Sequence, residues 1–533
     1  MKNAKFIAFI LSASLGGLWS CLPDHVKGRT TPTASPATPA AATEAPETQP
    51  FDASSENWNF APNDLGEAAD QLPSSLAAYK ADKLPFSESD LPKQAHLDDE
   101  MNAVTYLRSA SQKLEAIQRG PVPAHPPISH TTPVPGHPDS VIAEAPASAV
   151  RTSRVTEAEF LRAVAATPET KVVFELLDVA LRQPHVAFGK SFFYGFGGDA
   201  VTGIRHLVQL CGAKAEERAK AGDAAQAAKF LNEGSKISEL FLRDRTRLGI
   251  IDACYCFADN DRSVDLCASD LFIPSSTQSS RGSALNQFEV GLDLRTPTIS
   301  IGPRLPYDLV SAVKSCLQWS GSSQSADGEL TFASYTSNSP ELGDQLPVSR
   351  VGRANLARLL QFWADHRDIF SQIDRNPDSA ASKFDADLAK CNLKGRSYQV
   401  VALTAPALNV MSRNVRRIKL RREADLLLLA GLNFQGRLGH WPKTLAEIKD
   451  ENLGPKLQPL LADLFNPARG QDLRMFSLKS SGQNFQISIP STLIKGTLIP
   501  GTGIYTDGGG GILASYPDLE TLRQSVKKTS PRT

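Results

Sequence analysis

Residues 413–450, RNVRRIKLRREADLLLLAGLNFQGRLGHWPKTLAEIKD, decide how the rest of the chain is arranged. The stretch opens as a basic amphipathic helix and becomes apolar on every side from Leu426 to Leu432. Gly436 and Gly439 close it, and His440-Trp441-Pro442 start a second short helix. A helix apolar all round has to be covered by other elements. The helices before it and the strands after it are therefore expected to pack on this one rod and to share an interior.

Upstream, the clearest unit is a pair of helices, Ile204–Ala219 and Ala224–Arg243, joined by a Gly222-Asp223 turn. Small residues at Ala224, Ala225, Ala227 and Ala228 allow the two to approach closely. The unit resembles a tetratricopeptide-type hairpin, but one copy is not a solenoid, because such arrays need several stacked repeats. Thr156-Glu157-Ala158-Glu159 reads as a capping box. Thr167-Pro168-Glu169 reads as a second start, with a Thr cap and Pro at the first helical position. Apolar spacing predicts further helices at Asn102–Ile117, Thr246–Phe257, Tyr307–Trp319, Val351–Ile373 and Ser379–Lys390. Asn286–Leu294 and Thr298–Ile301 read as a short hairpin or an irregular excursion, and residues 320–345 as an exposed insertion.

Downstream the period changes from helical to alternating. Asp472–Leu478 and Asn484–Ile489 flank Ser480-Ser481-Gly482 as a β-hairpin, extended by Leu498–Ile499 and Ile504–Tyr505 before the Gly508–Gly511 run. The fold class that follows is mainly α: a multi-helical hairpin (TPR-like) body with a small C-terminal α+β module that contains an antiparallel β-sheet.

The order of the tail carries a resemblance. A helix, then Gly439-His440-Trp441-Pro442-Lys443-Thr444-Leu445-Ala446-Glu447-Ile448, then Leu464-Phe465-Asn466-Pro467-Ala468-Arg469-Gly470, then strands and Asp507-Gly508 is similar to the C-terminal part of type II secretion major pseudopilins. It also resembles the tail of large multi-helical exported proteins of planctomycete-like bacteria. The resemblance implies a Trp-Pro helix, a turn and a small antiparallel sheet, and it implies that His440 and Trp441 staple a helix junction. The chain departs from the pseudopilin pattern in two ways. It lacks the N-terminal apolar assembly helix, and Asn466 stands where that family has Asp, so no calcium site is carried over.

The N-terminal residues set the address. Lys2 and Lys5 form a positive n-region, and Phe6–Leu18 is an apolar segment too short to span a bilayer. Leu18-Trp19-Ser20-Cys21 resembles the lipobox of bacterial lipoproteins, with Cys21 as the lipidated residue and Trp19 where a smaller side chain is usual. Leu22 is not the aspartate that retains lipoproteins in the inner membrane, which favours the outer membrane, facing the periplasm or the exterior. We divide the chain into a signal peptide (1–20), a Pro/Thr/Ala-rich tether (21–50), a partly ordered segment with one helix (51–119), a Pro-rich linker (120–150), a multi-helical domain (151–438), the α+β module (439–516) and a tail (517–533). The tether has too few large apolar residues to offset its ordering entropy.

Composition excludes some classes. The chain has 533 residues, 41% hydrophobic, enough for two or three cores, and its 57 basic and 57 acidic residues cancel. Nucleic acid is not expected as a partner. Apart from Cys21 there are six cysteines, Cys211, Cys254, Cys256, Cys267, Cys316 and Cys391. An even count in an exported chain permits up to three disulfides, of which we expect one or two, and buried thiols are the duller alternative.

Motifs of catalysis and ligand binding mostly fail on inspection. Gly189-Lys190-Ser191 ends like a P-loop, but the earlier glycine falls at Pro184. Ser311-Ala312-Val313-Lys314 matches the Ser-x-x-Lys of penicillin-binding enzymes without its companion elements. Asp259, Asp261, Ser263, Asp265 and Asp270 partly mimic a calcium loop, but Val264 occupies its glycine position, so the segment reads as a solvated acidic turn. Zinc at Cys254, Cys256 and Cys267 is not expected, because residues two apart on a helix face nearly opposite sides. His125, His130 and His137 lie in a Pro-rich stretch with no fixed geometry for a metal. The one strong basic run is Arg413, Arg416, Arg417, Lys419, Arg421 and Arg422. It reads first as a solvated helix face paired with carboxylates of neighbouring helices, and second as a patch for an anionic partner.

No catalytic residue, metal or cofactor is assigned. The expected function is a lipid-anchored envelope protein that acts as a non-catalytic helical scaffold for a protein or peptide partner. The alternatives are an exported cell-wall hydrolase and a secretion-apparatus component.

Overall fold

The computed structural model describes residues 63–91, 101–118, 157–186, 198–243, 247–272, 278–318, 350–405, 408–469, 473–481, 484–490, 505–506 and 510–517. The signal segment, Cys21, the tether, Thr156, the three linker histidines, Gly189-Lys190-Ser191, the 320–345 insertion and Leu498–Ile499 lie outside them.

The chain is mainly helical with a small antiparallel sheet near its C-terminus. In order the helices are α1 (Leu65–Asp70), α2 (Leu72–Ala81), α3 (Ala103–Gln118), α4 (Glu157–Ala165), α5 (Thr170–Arg182), α6 (Gly198–Lys220), α7 (Ala224–Leu242), α8 (Arg247–Leu271) and α9 (Gln278–Gly291). They continue with α10 (Leu305–Gln318), α11 (Arg350–Asp365), α12 (Ile369–Gln372), α13 (Pro377–Leu388), α14 (Cys391–Lys394), α15 (Gln399–Thr404), α16 (Leu408–Leu438) and α17 (Gln458–Leu464). The strands are β1 (Ser477–Ser481), β2 (Asn484–Pro490), β3 (Tyr505–Thr506) and β4 (Gly510–Tyr516), in the antiparallel order β1-β2-β4-β3.

α16 is the spine. Its 31 residues extend about 46 Å at the rise of an α-helix. Every residue from Leu426 to Leu432 is buried, so the all-round apolar stretch is enclosed as its composition requires. α8 and α9 cover one side, α13 supports the N-terminal half, and β2 and β4 close the C-terminal half. The sheet comes so close that a Cβ on Gly431 would lie 2.4 Å from the Phe485 ring, so no larger residue fits there without moving the strand. Trp441, just past the helix end at Gly439, stacks on Phe485 with centroids 5.0 Å apart and also meets Phe272 and Tyr516. It bolts the spine, α8 and the sheet together.

α6 and α7 form the expected hairpin, with the Asp223 carboxylate accepting from the Gln226 N–H at 3.2 Å to cap α7. α8 then packs against both. Several expectations are corrected. Thr167 closes α4 instead of capping α5, because its hydroxyl donates back to the Val164 carbonyl at 2.8 Å, and α5 starts at Thr170. Residues 286–291 are helical, not a strand. The short helix after Trp441 is only a 3-10 turn, Leu445–Ile448. The six cysteines outside residue 21 are free, buried thiols, so the expected disulfides are not formed.

The interior divides into two large apolar clusters, and the division does not follow residue 438. One cluster takes the upper parts of α6, α7 and α8 with α2 to α5, α10, α11 and α13. The other takes the opposite parts of α6 to α8, α9, Leu420–Phe434 of the spine, α17 and the sheet. The same helices run through both.

Candidate functional site

Between the two clusters lies a layer of charge, and the basic run supplies half of it. Arg421 and Arg422 point inward from α16, with side chains only 7% and 1% exposed. Asp261 and Asp265 are one helical turn apart on α8 and therefore share a face. Arg421 Nη2 donates to Asp265 Oδ2 at 2.6 Å and to the Asp261 carbonyl at 3.0 Å, while its Nε stands 3.2 Å from Asp425 Oδ1. Arg422 Nε stands 3.5 Å from Asp261 Oδ1, its Nη2 donates to Ser235 Oγ on α7 at 2.9 Å, and its Nη1 donates to the Arg295 carbonyl. Its guanidinium lies 4.6 Å above the Phe257 ring, and Asn260 Nδ2 donates to the same Ser235 hydroxyl at 3.0 Å.

Three carboxyls, Asp261, Asp265 and Asp425, face two guanidiniums in this layer. Burial pushes the Asp425 carboxyl well above its ordinary range, and the neighbouring Asp265 and Asp261 push it further against the pull of Arg421. Burial also raises Asp261, opposed by Arg422 and Arg421. Burial alone would lower Arg421, but Asp265, Asp425 and Asp261 outweigh it and hold it above the usual guanidinium range. Such a layer adds little net stability over an apolar one, yet losing a single partner strands a buried charge at a cost of about 3–5 kcal/mol. It ties α7, α8 and α16 to one another.

The basic run is thus not one solvated face. Arg413 is exposed, Arg416 bonds Asp378 Oδ2 at 3.1 Å, and Lys419 stands 3.8 Å from Glu423 Oε1. Arg417 is pushed down to about 10 by burial and by the like charge of Arg421. A six-residue anionic-partner patch is not what the fold presents, because Arg421 and Arg422 face the core. The acidic segment is corrected for the same reason. Asp259, Asp261, Ser263, Asp265 and Asp270 all lie within α8, not in a turn, and Asp259 pairs with Arg205 of α6 at 2.6 Å.

The thiols are equally enclosed. Burial pushes Cys254 and Cys391 up to about 12 and raises Cys211, Cys256, Cys267 and Cys316 as well. A thiol kept protonated is a poor nucleophile and a poor metal ligand. Ser311 is half-buried on α10. Among the described residues no group of three or more His, Cys, Asp or Glu is arranged to hold a metal ion, and no helix is long and apolar enough to cross a membrane.

One junction escaped the sequence reading. Glu289 of α9 is fully buried, and Asn433 Nδ2 of the spine lies 3.0 Å from both of its carboxyl oxygens. Asn433 Nδ2 also lies 3.3 Å from the Asn452 carbonyl. Glu451 is buried beside them and accepts from Arg437, and Gly454 slides under the α9 backbone. Burial pushes Glu289 up to about 8; the Asn433 amide opposes the shift and Glu451 adds to it. The available signal was Glu289 standing among Leu285, Phe288 and Leu292, on the apolar stripe of its helix.

Comparison with family models, curated proteins and solved structures gave no match to this chain.

Proposed function

We propose that the chain is an exported, lipid-anchored envelope protein whose helical body is a non-catalytic scaffold for a protein or peptide partner. The inward use of its chemistry supports this reading. The Arg421–Arg422 and Asp261–Asp265 groups neutralise one another inside the body, and the six thiols are buried there with raised pKa values. Buried networks of this kind hold helices together and turn their polar groups away from a substrate. In this reading Cys21 carries the lipid, residues 23–50 hold the body off the outer membrane, and the pseudopilin-like tail buttresses the long helix. It does not build a filament.

Palmitate labelling and cross-linking in intact bacterial envelopes test the proposal. The full chain is expected to take up label and fractionate with membranes, Cys21→Ala to lose both, and one cross-linked adduct of constant mass to recur. Release of soluble fragments from purified cell wall by the full chain overturns the non-catalytic reading.

A further inference from the structure

α13 is held from two sides. Asp385 meets the spine, where its Oδ1 accepts from the Leu408 N–H at 3.0 Å and its Oδ2 from the Asn409 N–H at 2.9 Å, capping the first turn of α16. Asp387 stands two residues further on, so it points to nearly the opposite side of the helix and meets His366, just past the end of α11. One carboxylate of α13 thus serves the spine and the other serves α11.

His366 is placed between two acceptors. Its Nδ1 lies 2.7 Å from the Phe362 carbonyl, one turn back, and its Nε2 lies 3.2 Å from Asp387 Oδ2. Turning the ring over would put carbons on both, so this orientation is the one that bonds. Burial acts to raise the Asp387 carboxyl, but the hydrogen bond and charge of His366, with Lys390 and Lys394, outweigh it and hold it below its ordinary range. Asp387 therefore has no proton to donate. A neutral imidazole carries one N–H and one lone pair and satisfies only one of the two acceptors, whereas the imidazolium satisfies both. The ring has little room to swing away. It stacks on Phe362 with centroids 4.3 Å apart, meets Phe384 edge-on at 5.3 Å, and its side chain is 12% exposed.

The charges around the ring are few. Lys390 Nζ stands 3.6 Å from Asp387 Oδ1 and shares that carboxylate, and Lys394 lies over the Tyr398 ring. Asp365, Arg367 and Asp368 flank His366 in sequence, and Arg367 is drawn off to Asp82. Cys391 donates its thiol to the Asp387 carbonyl at 3.6 Å, and burial pushes that thiol up to about 12, out of the neutral range.

We propose that His366 is a proton-operated clasp between α11 and α13. Charged, it holds both acceptors; neutral, it keeps the closer Phe362 carbonyl, turns a lone pair on Asp387 and loosens the C-terminal end of α13. An imidazole changes charge between about pH 5 and 8, and one whose charged form gains partners on folding stabilises the fold at the acid end and ceases to do so as pH rises.

Glu289 gives a pH slope of the same sign, so the clasp is read from differences between variants of the full chain. Asp387→Asn keeps the shape of a side chain that is a third exposed. It is expected to lower the folding equilibrium constant about 3- to 5-fold at about pH 5.5, and less than about 2-fold at about pH 8.5, where the imidazole is neutral. Hydrogen exchange reads the loosening itself. The Ala389 and Lys390 amides close the end of α13 on the Asp385 and Asp387 carbonyls. Their protection, corrected for the intrinsic pH dependence of exchange and taken relative to α7, should fall at least about 3-fold between those pH values in wild type and stay flat in His366→Gln. If His366→Gln fails to fold, Asp387→Asn takes its place in the exchange experiment. An Asp387→Asn loss that is equal at the two pH values or larger at the alkaline one, or protection that does not fall in wild type or falls equally in the variant, overturns the proposal.

Discussion

The charge layer at Arg421–Arg422 and the carboxyl junction at Glu289 lie about three turns apart along the same helix, and both are buried. They differ in what neutralises them. In the layer, two guanidiniums face three carboxyls, so opposite charges meet in place. At the junction, Glu289 has an amide donor and a second carboxyl for neighbours, and among the described residues no cation lies within hydrogen-bond reach of it. The lesson is that two buried acids on one scaffold can respond to different perturbations. The layer is sensitive to loss of a side chain, the junction to pH.

Removing a guanidinium should have the largest effect. Arg422→Ala is expected to lower unfolding free energy by about 3–5 kcal/mol in urea titrations, because Asp261 is left buried without its partner. A loss below about 1 kcal/mol would mean that the layer relaxes or hydrates freely and does not tie the helices to one another.

The junction sharpens the contrast through pH. Glu289 titrates near 4.5 when unfolded and at about 8 when folded, so the folded chain binds the extra proton between those values. Stability is therefore greatest below the unfolded pKa and falls as pH rises through the folded one, by at most about 1.4 kcal/mol per pH unit from this group. Glu289→Gln mimics the protonated acid. It should flatten the slope measured by thermal melts between about pH 5 and 8 and leave the variant more stable than wild type at pH 8 by about 1 kcal/mol or more. An unchanged slope would place the proton elsewhere.

The smallest effect belongs to the outer part of the same basic run. Arg416 pairs with a largely exposed Asp378, so Arg416→Ala should change stability by less than about 1 kcal/mol in the same titration. A larger loss would show that the run acts as one unit, which the contrast between its inward and outward members denies.

How much of this was readable varies by element. The α6–α7 hairpin was legible because a Gly-Asp turn separates two runs of helical period, and β2 because alternation is short-range, whereas the first strand was placed too early: residues 473–475 turn, and β1 runs over Ser477–Ser481, through two of the residues read as the hairpin turn. The strand β4 was hidden: Gly510 and Gly511 have low strand preference, and it is pairing with β2 that holds them extended. α1 and α2 were missed because their few apolar residues acquire meaning only against α11, more than 280 positions later. The acidic run on α8 was misread because polarity suggests a turn when the opposite charge lies 160 residues away.

By itself the sequence determined that Leu426–Leu432 would be enclosed, that helices precede it and a small sheet follows it, and roughly where each begins. Period and turn chemistry are local, and a chain carries them before it folds. Which charges face the core, which carboxyl keeps its proton and where residues 63–82 dock were decided only in the tertiary structure. A helix defines the faces its side chains occupy, whereas the neighbour that meets each face, and the dielectric around it, exist only once the helices are packed.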